Sequence, residues 1–412
     1  MGSLLFDLVI RNALVEAGSA PVDIAVKDGQ IAAIASNLRC EAVEAADAEG
    51  CFAFGGFVDS HIHLDKACVL DRCMICEGTL AEAVRETARA KLSFDETDVY
   101  ARASCVVEQA ITYGTVRMRS FVEIDPRAGM RSFEAIKRIR DDYVFAIDIE
   151  ICAFAQEGLT SEPETYAMLD EALRNGADLI GGCPYTDPDP RRHIDLIFDL
   201  AERHSVAVDF HLDFDLEPAN TNLPAVIEET LRRGYQGRVS IGHVTNLSAM
   251  APEDVLAIAQ KLAGAGIALT VLPSTDLFLN GRAYDRLVPR GVAPAHVLAG
   301  AGVVTSIASN NILNPFTPYG DASLIRIANL YANVAQLSRP DDLRAVFDMV
   351  SGAAARQMGA AHGLDVGNVA DIVLLDCDSP EAAVGGIARV LRGWKRGRKS
   401  FENGRPVILR RP

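Results

Sequence analysis

Between residues 53 and 311 one pattern recurs eight times: a short apolar, β-rich run that closes on polar residues, with helical stretches between the runs. The runs are FAFGGFVDSHIHLD, GTVRMRSFVEID, YVFAIDIEICAFAQE, DLIGGCP, VAVDFHLDFD, RVSIGHVTN, IALTVLPST and VVTSIASNN. Strands alternating with helices are the mark of parallel strands joined by crossover helices, and eight is the number that closes a barrel. Helices are predicted at Thr79–Ser93, Pro163–Asn175, Ile194–His204, Asn222–Gly234 and Ala251–Ala263, several stopping at a glycine as helix ends commonly do. The flanks read differently. FDLVIRNALV and DIAVKDGQIAAIA near the start, and ADIVLLD, IARVLRGWKRGRKSF and GRPVILR near the end, alternate apolar and polar residues, with Asp28-Gly29 marking a hairpin turn. The expected architecture is a (β/α)8 TIM-like barrel over 53–360, with a small β-sandwich domain assembled from both termini, 1–52 and 361–412.

Composition narrows the function classes. A net charge of -16 disfavours a nucleic-acid partner, because phosphate-backbone binding depends on Lys and Arg releasing counterions, and a small neutral or cationic substrate fits better. Apolar runs such as Val206–Phe210 are far shorter than the roughly 20 residues that cross a bilayer, so no membrane partner is expected. MGSLLFDLVIRN has neither the basic region nor the apolar core of a signal peptide. Nine cysteines, an odd and scattered set, argue for reduced thiols and a cytoplasmic protein. Cys68, Cys73 and Cys76 include one C-x2-C pair without a second, which is read as loop thiols. Large barrels often associate, and a homo-oligomer is compatible with this chain.

In a parallel barrel the carboxyl ends of the strands converge on one mouth, so polar residues there are the functional candidates. The runs end on His61 and His63, Arg119 and Glu123, Gln156 and Glu157, His211 and Asp213, His243, Ser274 and Asp276, and Asn310 and Asn311. His61 and His63 are two apart on an extended segment, so both imidazoles project from one side, as a metal requires of an H-x-H pair. Of eight histidines, four fall at predicted strand ends; His193, His204, His296 and His362 are assigned surface or capping roles. A single divalent ion, zinc or iron, on His61, His63 and His211 would leave room for water and lower its pKa. Hydrolysis would then need a base for the water proton and an acid for a departing nitrogen. Lys66, just past His63, is expected to pair with a carboxylate.

The motifs GGFVDSHIHLDK, AFAQEG, FHLD, GHVTNLSAM, STDLFLNGR and NPFTPYGDAS together resemble the cytosine deaminase branch of the amidohydrolase superfamily, and less closely N-isopropylammelide isopropylaminohydrolase, over nearly the whole chain. The resemblance implies hydrolysis of a non-peptide C–N bond in a small N-heterocyclic amidine or amide. It implies His61, His63 and His211 as metal ligands, Gln156 as a contact to the ring edge and His243 as the residue that polarises or orients substrate and water. Asp276 and Asn311 become lower-ranked pocket candidates. The run Asp178–Asp189 contains no Lys to be carboxylated between two metals, so one ion is expected.

Three positions depart from that family. Asn310 stands where it has a metal-ligating Asp, Phe214 where it has a proton-shuttling Glu, and Phe121 where it has a further His. An amide oxygen coordinates weakly and cannot act as a general base. Two expectations follow. In one, Asp213 takes over proton transfer from the strand of His211, and Phe121 and Phe214 enlarge an apolar substrate pocket. In the other, the site has lost hydrolysis and binds a small heterocyclic ligand.

Overall fold

The structure is a computed structural model that describes residues 5–406. Strands β1 (Leu5–Ala13), β2 (Val22–Lys27), β3 (Gln30–Ala35) and β4 (Glu41–Asp47) form one sheet in the order β3-β2-β1-β4. The β2–β3 hairpin turns on Asp28 and Gly29, both with positive φ (50° and 76°), the conformation an Asp-Gly two-residue turn adopts. A second sheet is made by β5 (Phe52–Phe54) and three strands from the far end of the chain.

The barrel follows: β6 (Phe57–Ile62), β7 (Thr115–Glu123), β8 (Asp148–Ala155), β9 (Leu179–Gly182), β10 (Ala207–Leu212), β11 (Val239–His243), β12 (Ile267–Val271) and β13 (Thr305–Ile307). Neighbours in sequence are neighbours in the sheet and all pair in parallel. The ring is drawn together by a parallel bridge between Ile62 and Asn310 and by Ser60 Oγ at 2.8 Å from Ser306 Oγ. The eight predicted runs thus correspond to the eight barrel strands, with one correction. FAFGGFVDSHI is not one strand: it breaks at Gly55-Gly56, and Phe52–Phe54 belongs to the other sheet. Gly56 has φ 83° and a Cβ there would lie 2.4 Å from Val116, so the joint requires glycine.

Helices ring the barrel, among them Leu80–Lys91, Pro163–Arg174, Pro190–His204, Leu223–Arg232 and Pro252–Gly264. Their starts are specified locally: Thr79 accepts from Glu82 N and Asp189 from Arg192 N, while prolines open four of the five helices within their first turn. After the barrel, β14 (Ile372–Leu375), β15 (Val390–Lys395) and β16 (Arg398–Glu402) complete the second sheet in the order β16-β15-β14-β5. The two four-stranded sheets share a core of Leu8, Ile10, Ile24, Val26, Ile372, Leu374 and Trp394, so both ends of the chain build one sandwich. The expected strand GRPVILR lies mostly outside the described residues, as do residues 1–4. Lys395 fastens the sandwich to the barrel: its buried ammonium donates to Val116 O, Asp148 and Asp371.

The barrel floor, at the amino ends of the strands, is polar but internally paired. Arg119 was expected at the mouth. It instead lies well before the end of β7 and donates to Glu150 on the neighbouring β8 and to Asp209 on β10, further round the barrel. Ser306, Thr270 and Gln357 form a second closed set of hydrogen bonds. Among the described residues no helix is long and apolar enough to cross a membrane. All nine cysteines are free, and none belongs to a cluster spaced to hold a metal among the described residues.

Candidate active site

The mouth is organised around imidazoles. His61 lies on β6, His63 directly after it, and His211 on β10, and their ligating nitrogens all lie within 4.8 Å of one another. His61 Nε2 is 2.7 Å from His211 Nε2. Burial is complete, and it pushes all three imidazoles well below their usual pKa, with the neighbouring histidines and Lys66 adding to the effect. Burial thus favours the neutral form, in which each ring carries a lone pair. His61 Nδ1 and both nitrogens of His63 are buried without a hydrogen-bond partner. A protein seldom leaves such atoms unsatisfied without a function for them, and three convergent neutral imidazoles are a donor set that suits a divalent ion.

Asn310 is locked to this set by backbone. Its N–H donates to His61 O and its carbonyl accepts from His63 N, both at 2.8 Å, and it adopts φ 60°, which Asn tolerates better than most residues. Neither its amide oxygen nor its amide nitrogen has a partner. His243 ends β11 with φ 70°, and its Nδ1 lies 2.7 Å from Asp276 Oδ1. That geometry places a proton on Nδ1, shared with the carboxylate, and turns Nε2 to the cavity. The ring of Phe214 meets His243 edge-on at 4.7 Å. The cavity itself is lined by His63, His211, His243, Gln156, Lys66, Asn310, Asn311, Thr275 and Tyr185, with Leu80, Phe214, Leu279 and Phe316 as its apolar part.

Several residues expected here are placed otherwise. Asp213 does not line the cavity. With φ 50° its carboxylate swings to the following loop, where it accepts from Thr221 Oγ1 (2.7 Å), Asn222 N (2.9 Å) and Asn222 Nδ2 (3.1 Å). Two-residue spacing from His211 predicted one face, but the strand ends at Leu212, and with it the alternation that argument uses. Phe121 is not a pocket wall either: it stacks on His61 at 3.9 Å between ring centres, and with Phe154, 4.2 Å from His211, it packs the imidazoles from below. Asp276 stands behind His243. His193, assigned a surface or capping role, is fully buried and its Nδ1 lies 3.0 Å from Asp187 Oδ2. Asp187 also accepts from Leu159 N and Thr160, which fixes the loop after Gln156.

Lys66 pairs with a carboxylate as expected, donating to Glu123 at 2.5 Å, and it also reaches the cavity, 4.2 Å over the ring of Phe316. Behind it lies a network that spacing alone did not reveal. Lys91 contacts Glu123 (2.9 Å), Asp125 and Glu157 (both 2.5 Å), and Arg127 closes the far side on Glu157 and Glu162. Burial opposes ionisation of Glu123, yet Lys66 and Lys91 hold its carboxyl down at about 2.

The chain resembles known proteins over nearly its whole length. The chain is 27% identical over 407 residues to N-isopropylammelide isopropyl amidohydrolase of Pseudomonas sp. (strain ADP), covering 95% of this chain and 96% of that one. It is 28% identical over 363 residues to pterin deaminase of Rhizobium rhizogenes, covering 87% and 82%. The crystal structure of 5-methylcytosine deaminase from Klebsiella pneumoniae liganded with 5-fluorocytosine superposes with a TM-score of 0.92 at 26% identity, over 98% of this chain and 99% of that one. Residues 77–399 match the model of the amidohydrolase family, and the chain belongs to that family.

Proposed function

We propose that the protein hydrolyses a non-peptide C–N bond in a small N-heterocyclic amidine or amide, releasing ammonia or an amine. One observation carries this proposal: three buried imidazoles converge, two of them with unpartnered nitrogens, at a cavity that also holds Gln156 and His243. Relatives named for deamination of pterin and 5-methylcytosine, and one named as an N-isopropylammelide isopropyl amidohydrolase, support the substrate class.

His61, His63 and His211 would hold one divalent ion, zinc or iron, with the Asn310 amide oxygen as a weak fourth donor. Bound there, such an ion supplies the charge that acidifies water near neutral pH. The chain's own residues do the rest. Gln156 presents an amide to the ring edge, offering both donor and acceptor. His243, oriented by Asp276, is the group with a free nitrogen at the reacting end, so it receives a proton at Nε2 and returns it to the departing nitrogen. Asp213 is not assigned this step, because both its oxygens are engaged by Thr221 and Asn222. Phe214 and Phe316 exclude water around the ring, and Asn311 holds its other side. Nine free thiols fit a reducing compartment such as the cytoplasm.

The test is elemental analysis of the purified protein, followed by an assay of ammonia or amine release over a panel of aminated pyrimidines, triazines and pterins. One ion per chain and turnover of at least one member are expected. Protein that contains no transition metal, and stays inert when given zinc or iron, overturns the proposal.

A further inference from the structure

No Asp or Glu is among the described residues that line the cavity. Asp213 is held by Thr221 and Asn222, Asp276 by His243 Nδ1 and Leu272 N, and Glu123 by Lys66 and Lys91. The positions that do reach the cavity from the ends of β10 and β13 are Phe214, Asn310 and Asn311, none of which carries charge. Beside the imidazoles, several N–H donors with capacity to spare face inward. Lys66 commits one of its three N–H bonds to Glu123 at 2.5 Å. The Asn311 oxygen is occupied by Asn314 Nδ2, which leaves the Asn311 NH2 as its free end, and the Asn310 amide has no partner. An ion on three neutral imidazoles would add positive charge that no cavity carboxylate offsets.

From this juxtaposition of donors without an acceptor anion, we propose that the cavity selects N-heterocycles bearing an oxyanion, either a ring carboxylate or a deprotonated cyclic imide, with Lys66 as counter-ion. The chain's net charge of -16 resides on its surface and on paired groups and does not set the sign at this site. A buried ammonium with donors to spare favours a ligand that brings its own negative charge, because desolvating that charge is offset only where donors are already in place. The proposal rests on the hydrolase assignment for its choice of heterocycles, but it concerns binding and is tested apart from turnover.

Isothermal titration of the intact protein compares barbiturate, a cyclic imide ionised at neutral pH, and orotate, a pyrimidine carboxylate, with uracil, which is un-ionised. At least one anion is expected to bind about tenfold or more tighter than uracil, and the two anions separate imide from carboxylate recognition. Lys66→Met removes that preference. Should loss of the Glu123 partner unfold this variant, Asn310→Asp tests the same point by adding a carboxylate, and the anion is expected to lose about tenfold relative to uracil. Uracil binding as tightly as both anions, or no binding of either anion, overturns the charge assignment and leaves the hydrolase assignment standing. Anion binding by a protein that hydrolyses nothing has the opposite meaning.

Discussion

Among the described residues, two clusters near the barrel mouth have ligand atoms close enough to hold a metal: His61, His63 and His211, and Glu123, Asp125 and Glu157. By spacing they are equals. They differ in what already occupies them. The carboxylates enclose Lys91, and Lys66 and Arg127 complete the neutralisation, so this cluster contains its cations as side chains. Burial disfavours charge on the imidazoles, and three of their nitrogens have no partner. Donor count therefore says little about a candidate metal centre, and the unsatisfied remainder says much more.

This contrast can be broken most directly at His211. His211→Ala is expected to abolish bound metal and lower turnover by more than about a hundredfold, a larger loss than removal of an outer partner produces. Metal retained in that variant would move the centre elsewhere. Glu123→Gln should do the reverse: metal content stays, while stability to urea falls by about 3–5 kcal/mol because Lys66 and Lys91 lose a buried counter-charge. If metal disappears with Glu123, the carboxylate cluster is the centre after all.

The Glu123 variant also sharpens the comparison along pH. The Glu123 carboxyl is held at about 2 against an ordinary 4.5, so the stability it contributes is complete above 4.5 and is lost as pH falls toward 2. The loss amounts to at most about 1.4 kcal/mol per pH unit. Urea midpoints measured across that window should fall in the wild type, and Glu123→Gln should lack this component of the fall. The smallest effect is expected at the remaining donors: Cys73→Ser with Cys76→Ser leaves metal content and turnover unchanged, since neither thiol belongs to a spaced cluster. A loss of metal there would show that loop thiols recruit the ion.

Much of this was legible in the residues. The eight strand runs show in their apolar, β-rich character, and the His-x-His pair in a period of two that carries one residue past the end of β6, to His63, where no positive φ interrupts it. Legibility failed where that period stops. Asp213 lies one residue past the end of β10 in a positive-φ conformation, and a single such dihedral redirects its carboxylate. Arg119 and Glu123 both belong to β7, yet one lies at the floor and the other near the mouth, because depth along a strand depends on register against neighbours far away in sequence. Lys91 was invisible for a related reason: it sits at the end of a helix and meets Glu123, Asp125 and Glu157 only after the barrel closes.

The pairing of Phe52–Phe54 with Ile372–Leu375 also bears on how the molecule is made. During synthesis the first four strands leave the ribosome with half of their eventual core missing, and the complementary sheet arrives roughly three hundred residues later. The barrel must mature while its N-terminal neighbour waits with apolar surface uncovered, so the nascent chain is most open to chaperones, and to aggregation, in the interval before its last segment is released.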